Sequence, residues 1–157
     1  MGIISLVLSL LGFAGKVKED SWILAQGKYG VFPLIMRARS EISEGISSKE
    51  YKYLITIIWN YLPDENGFPN SKENEEMEKL EEATETLIEK NKFGYMTHIF
   101  TCNGRREWNW YTKDKNKFES AIKEYRARNP KTPIQINESE DPNWDEWKGV
   151  LSMAKPK

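Results

Sequence analysis

YKYLITIIWNY, residues 51 to 61, carries β-branched and aromatic side chains over most of its length, with no break between a polar and an apolar side. Such a run suits a central strand covered on both faces, because a strand with one wet face would alternate. PDENGFPN, residues 63 to 70, is dense in turn formers and ends that strand. Beyond it Ser71 is a candidate N-cap, and Met77, Leu80, Thr84, Leu87 and Ile88 recur at three- and four-residue spacing, which predicts a helix over 72–90. Next, FGYMTHIFTCN (93 to 103) and REWNWYTK (106 to 113) flank Gly104-Arg105 and read as a hairpin. Asp114 then caps a second helix with Phe118, Ala121, Ile122 and Tyr125 inward and Pro130 just past its end. TPIQINE (132 to 138) is the last predicted strand. A short closing helix is expected from about Asp141, with Pro142 in its first turn and Trp144, Trp147 and Leu151 on one side.

From residue 51 onward the order is therefore β-α-β-β-α-β, an α+β domain of the ferredoxin-like split type. Right-handed crossovers place strands 51 to 61 and 106 to 113 in the middle of the sheet. Upstream, SWILAQGK (21 to 28) and VFPLIMRAR (31 to 39) are separated by Tyr29-Gly30 and read as an added N-terminal hairpin that widens it. Pro33 puts the second of these runs at an edge or at its own start.

A chain of 157 residues suits one domain with a real core, and residues 19–157 are read as that domain. Lys and Arg total 23 against 24 Asp and Glu, so no overall field draws the chain to nucleic acid or an acidic membrane, and charge arguments must be local. One cysteine, Cys102, and one histidine, His98, exclude a disulfide framework and a Cys- or His-rich metal centre. No cofactor motif is present.

Residues 1–18 stand apart. Ile3 to Ala14 is apolar but too short to span a bilayer. Gly12 and Ala14 would suit a signal-peptide cut, yet no Lys or Arg precedes the run, so a cytoplasmic location is expected, with export the alternative. As a helix the segment gathers Ser5, Ser9, Gly12 and Lys16 on one narrow stripe, which suits docking on a hydrophobic surface, either a membrane periphery or the domain itself. Leu6 breaks the myristoylation motif.

At PDENGFP (63 to 69), NGRREW (103 to 108), YTKD (111 to 114) and EDPNWDEW (140 to 147) the chain resembles the domain-of-unknown-function 695 family, over about Trp22 to Leu151. That resemblance implies no activity, cofactor or catalytic residue. More remotely, the chain is similar to the bacterial regulators of ribonuclease E activity, protein B type, acidic α+β proteins that bind and restrain a nuclease. This similarity implies a protein inhibitor without placing a site.

Among candidate chemistries, His98 and Cys102 are four residues apart on one predicted strand, about 13 Å at ~3.3 Å per residue. A nucleophile-base pair needs contact, so both are read as packing residues, alternating with Met96 and Phe100 on one face. Asp64-Glu65-Asn66-Gly67 has calcium-loop residue types without the ligand spacing and reads as a turn. No Gly-rich phosphate loop, nucleophile elbow or HExxH occurs, which disfavours an enzyme; an uncharacterised hydrolase is the third reading.

Charge supplies the two leading functional readings. The helix at 72–90 has eight glutamates against three lysines, a local charge of −5. Net charge alone leaves two readings of that surplus. One is a solvated face with some i, i+4 pairing, such as Glu75 with Lys79. The other is a surface for a basic protein partner, with Glu75, Glu78, Glu82 and Glu85 its candidate contacts and no buried role expected for the excess. The leading expectation is thus a non-enzymatic binding or regulatory domain acting through protein–protein contact. Residues 104 to 131 lean to +5, with nine basic residues against four acidic, and Arg105, Arg106, Trp108 and Trp110 sit where RNA-recognition domains place a basic residue and stacking aromatics. Glu107 replaces the usual Gly and Lys113 the last aromatic, so this nucleic-acid module is the alternative.

Overall fold

The computed structural model describes residues 22–154, which form an α+β structure with six strands and three α-helices. The strands are β1 (Trp22–Tyr29), β2 (Phe32–Arg39), β3 (Tyr53–Asn60), β4 (Gly94–Cys102), β5 (Arg105–Thr112) and β6 (Ile134–Glu140). They make one antiparallel sheet in the order β1-β2-β4-β5-β3-β6. β3 and β5 lie inside the sheet, as the unbroken apolar run of β3 requires. Its two flanking tyrosines act as end anchors: Tyr51 donates its hydroxyl to Lys92 O at 2.9 Å and Tyr61 to Gly67 O at 2.8 Å.

The N-terminal hairpin widens the sheet by pairing β2 with β4, leaving β1 as the edge. Pro33 is therefore not on an edge strand but lies at the second position of β2, near its start. The second hairpin turns at Asn103-Gly104 and not one residue later, because both residues hold left-handed backbone, φ 43° and 81°, which Asn and Gly tolerate best. A Cβ on Gly104 would stand 3.0 Å from Tyr61 O, and Tyr61 N donates to Gly104 O at 2.8 Å. The 63–70 turn thus packs against this hairpin.

Helix α1 spans Ser71–Thr84 and continues through one π turn, Glu85–Glu89. Its N-cap is Asn70, whose Oδ1 accepts from Glu73 N at 2.9 Å, and this lies one residue before the expected cap at Ser71. Helix α2 spans Lys115–Arg128, and Asp114 Oδ1 caps it by accepting from Lys117 N at 3.0 Å. Helix α3 spans Asp145–Ala154, later than the sequence suggested. The Asp141 carboxylate reaches forward to accept from the Asp145 and Glu146 N–H groups at 2.9 and 3.0 Å, while Trp144 turns the chain at φ 56°. Pro142 consequently lies in the preceding turn.

Two apolar clusters sandwich the sheet. On one face α1 and α2 bury Met77, Leu80, Ile88, Phe118, Ile122 and Tyr125 against Ile55, Ile57, Trp59, Trp108 and Trp110. Removing a leucine such as Leu80 from water contributes roughly 2 kcal/mol. On the other face α3 closes over Ala25, Met36, Ala38, Leu54, Tyr95 and Tyr111. Trp144 stacks on Tyr111 with centroids 4.3 Å apart and donates Nε1–H to Tyr51 O at 2.7 Å; Trp147 donates to Arg39 O at 2.9 Å. β4 bulges between Met96 and His98. The extra residue reverses the alternation, so Met96 packs with the α1–α2 cluster while His98 and Phe100 face the α3 side. Met96 is thus on the opposite face from His98 and Phe100, which corrects the single shared face expected from simple alternation.

Candidate functional site: the acidic helix and its cleft

At 3.6 residues per turn, Glu73 and Glu81 of α1, and Glu89 in the π turn, border the side of the helix that meets the sheet, and each takes a structural partner there. Glu73 accepts the Trp59 indole N–H at 2.8 Å. Glu81 accepts the Trp108 indole at 2.9 Å and is clamped by Arg37 Nη2, 2.9 and 2.7 Å from its two oxygens. Glu89 binds Arg39 and accepts from Met96 N at 3.2 Å. Arg39 is only 3% exposed, and its guanidinium also lies over Trp22 and Tyr95, 4.8 and 4.2 Å from the ring centroids. The expectation that the excess glutamates have no buried role is therefore corrected: three of the eight fasten the helix to β2, β3, β4 and β5. Arg37 and Arg39 share the helix-facing side of β2, and their period-two spacing around Ala38 was the available signal for them.

Glu75, Glu78, Glu82 and Glu85 follow at three- and four-residue steps along the neighbouring outer stripe. Glu76 on another side pairs with Lys79 at 2.7 Å. On the outer stripe Glu78 accepts only from Asn74 Nδ2 at 2.8 Å, and Glu75, Glu82 and Glu85 have no hydrogen bond or ion pair among the described residues. Three of this stripe, Glu78, Glu82 and Glu85, line a polar cleft of about 390 Å³ with Glu81, Arg37 and Arg106. Burial raises the Glu85 carboxyl above its usual range, and the neighbouring charges of Glu81 and Glu89 add to the rise. Arg106 is pushed the other way, first by burial and then by Arg37, while it donates to Thr101 Oγ1 at 2.8 Å and Asn74 Oδ1 at 3.0 Å. Four carboxylates thus face two guanidiniums already engaged by protein acceptors. No group of three or more His, Cys, Asp or Glu suited to a metal ion occurs among the described residues.

The other candidate residues fall elsewhere. Trp108 and Trp110 are 1% and 0% exposed, pinned in the core under α1 and α2, so neither can stack on a base. Arg105 pairs with Glu107 on its own strand. Along α2 the positive charge is partly met, by Lys123–Glu119 at 3.0 Å and Arg128–Glu124 at 2.8 Å, and Arg126 donates to Ile134 O. His98 is fully buried: Nδ1 meets Thr97 Oγ1 at 2.9 Å and Nε2 lies 3.5 Å from Glu146 Oε1. Cys102 is half-buried, its thiol raised by burial, and it makes no pair with His98. Asp64 Oδ1 accepts from Asn66 N and Phe68 N at 2.8 and 2.9 Å, the self-bonded turn expected there.

The segment 3–14 lies outside the described residues; within them no helix is long and apolar enough to cross a membrane. No curated protein and no solved structure matches the chain. One family model does match, over residues 20–152, and the chain belongs to that family, the family of unknown function DUF695.

Proposed function

We propose that this is a non-enzymatic binding domain that regulates a basic protein partner through the outer stripe of α1. The observation that carries the reading is the division of the glutamates, in which Glu75, Glu78, Glu82 and Glu85 make no ion pair among the described residues, on a helix already anchored by three others. Like-charged carboxylates held beside a polar cleft raise the local negative potential, which speeds encounter with an arginine- or lysine-rich surface. The strand order β4-β5-β3-β6 with antiparallel pairing supports the ferredoxin-like split reading of the β-α-β-β-α-β part. It is also compatible with the remote similarity to regulators of ribonuclease E activity of the protein B type. A cytoplasmic place of action belongs to the same proposal.

The test is a fluorescence titration of the full chain with an arginine-rich peptide, a glutamate-rich peptide and a single-stranded RNA at low and moderate salt. Binding of the arginine-rich peptide alone, weakening with salt, is expected. Preferential binding of the RNA would overturn the reading and return the basic surface of 104–131 to first place.

A further inference from the structure

The two edges of the sheet differ in how they meet water. β6 is guarded: Asn137, Glu138 and Glu140 are exposed along it, Lys115 pairs with Glu138 at 3.6 Å, and Arg126 of α2 donates to the Ile134 carbonyl. β1 has neither bulge nor proline. It pairs with β2 without a register shift from Trp22 opposite Arg39 to Tyr29 opposite Phe32, and its one charge, Lys28, stands next to its last residue. Among the described residues no strand lies beyond β1, so alternate residues of it direct N–H and C=O groups outward. The α1 side of this edge is also open. Strand alternation puts Trp22, Leu24, Gln26 and Lys28 on that side. Trp22 packs against the α1–α2 core, but Leu24 is 42% exposed, and Gln26 and Lys28 are exposed too. Leu24 is the cross-strand partner of Arg37, and Arg37 lines the cleft bordered by Glu78, Glu82 and Glu85. The outer stripe of α1 and the free edge of β1 thus border one shelf, with Arg37 between them.

We propose that this shelf takes an extended, arginine- or lysine-rich segment of the partner protein, which joins the sheet as a strand beside β1 and turns its basic side chains toward the outer stripe of α1. The proposal rests on the reading of α1 as the surface for a basic partner, and names how that partner is held. Backbone pairing with β1 fixes the segment's direction and register, while Leu24 offers an apolar contact to one of its side chains. Alternate side chains of a strand rise from one face, so basic residues two apart all meet the α1 side, where Glu78, Glu82 and Glu85 make no ion pair among the described residues. Their charge complements such a segment and speeds its arrival. A second copy of this chain suits the edge poorly. Antiparallel pairing of β1 with another β1, about a two-fold axis normal to the sheet, keeps both α1 helices on the same side and brings two glutamate stripes face to face.

The experiment uses the full wild-type chain at low salt. The probe is a fluorescein-labelled peptide of alternating arginine and valine, beside two versions of it N-methylated at the valine or at the arginine nitrogens, which cannot complete a strand ladder. Affinities are measured by fluorescence anisotropy, and hydrogen exchange is followed over residues 22–29 with and without the parent peptide, at several protein concentrations. Exchange in β1 at least ten-fold slower with the peptide, and at least one N-methylated version bound ten-fold or more weakly than the parent, are expected. A parent peptide that binds while β1 exchange stays unchanged, or that binds no more than a few-fold tighter than both N-methylated versions, would overturn strand addition and leave the reading of α1 standing. Absence of any binding would overturn both. Protection of β1 that grows with protein concentration in the absence of peptide would also overturn the proposal, by assigning the edge to a second copy.

Discussion

Helix α1 and its π turn carry two rows of the same side chain with opposite employment. Glu73, Glu81 and Glu89 each hold an indole N–H, a guanidinium or a backbone N–H from the sheet, whereas Glu75, Glu82 and Glu85, one stripe further out, hold nothing among the described residues. The contrast teaches that net charge is the wrong unit for judging such a helix. A carboxylate within reach of a buried donor is part of the fold; a carboxylate one stripe away is free to act on something else.

The largest way to disturb the arrangement is to put a charge between the rows and the sheet. Leu80 is 1% exposed, so Leu80→Asp buries a carboxylate with no partner and should cost more than about 3 kcal/mol, read as a collapse of the melting transition. An unchanged melting temperature would show that the helix packs in another phase. Next, Glu81→Ala strands the Trp108 indole and releases Arg37, and should cost about 2 kcal/mol in denaturant unfolding. A loss no larger than that of Glu82→Ala would erase the distinction between the rows.

The closing helix offers a smaller test with a pH signature. Burial works against ionising Asp141, but hydrogen bonds from Tyr111 at 2.6 Å and from the Glu146 and Asp145 N–H groups prevail and hold its carboxyl below the usual range. A folded pKa lower than the unfolded one means that the stabilisation is present above about pH 4 and is lost as pH falls through the folded value. Asp141→Ala should therefore cost about 1 kcal/mol at neutral pH, and its melting temperature should approach that of the wild type below about pH 4. A gap that widens in acid would contradict this sign. The smallest stability effect belongs to the outer row. Replacing Glu75, Glu78, Glu82 and Glu85 with Gln should leave melting unchanged or raise stability by a few tenths of a kcal/mol per relieved like-charge pair.

Much of the fold is legible in the sequence because its elements obey single periods: the unbroken run of β3, the 3.6-residue rhythm of Met77, Leu80, Thr84 and Ile88, and the stripe of Phe118, Ala121, Ile122 and Tyr125. What escapes is what one residue can shift. The Thr97 bulge reversed the faces of β4, Asn103 and Gly104 took the turn by accepting positive φ, and Asp141 capped α3 from four residues upstream. At the candidate site the outer four glutamates can be read from spacing alone. Their inner neighbours cannot, because Trp59, Trp108, Arg37 and Arg39 reach them only after strands distant in sequence are laid side by side.

The most direct measurement of the account is the association rate of an arginine-rich peptide with wild-type chain and with the Glu75, Glu78, Glu82, Glu85 to Gln variant, by stopped-flow fluorescence at low salt. A rate at least ten-fold lower in the variant, with melting unchanged or raised and the difference fading as salt is added, is the result predicted. Equal rates and equal affinities for the two proteins would show that the outer row is only a solvated face, and would contradict the proposal that α1 meets a basic partner.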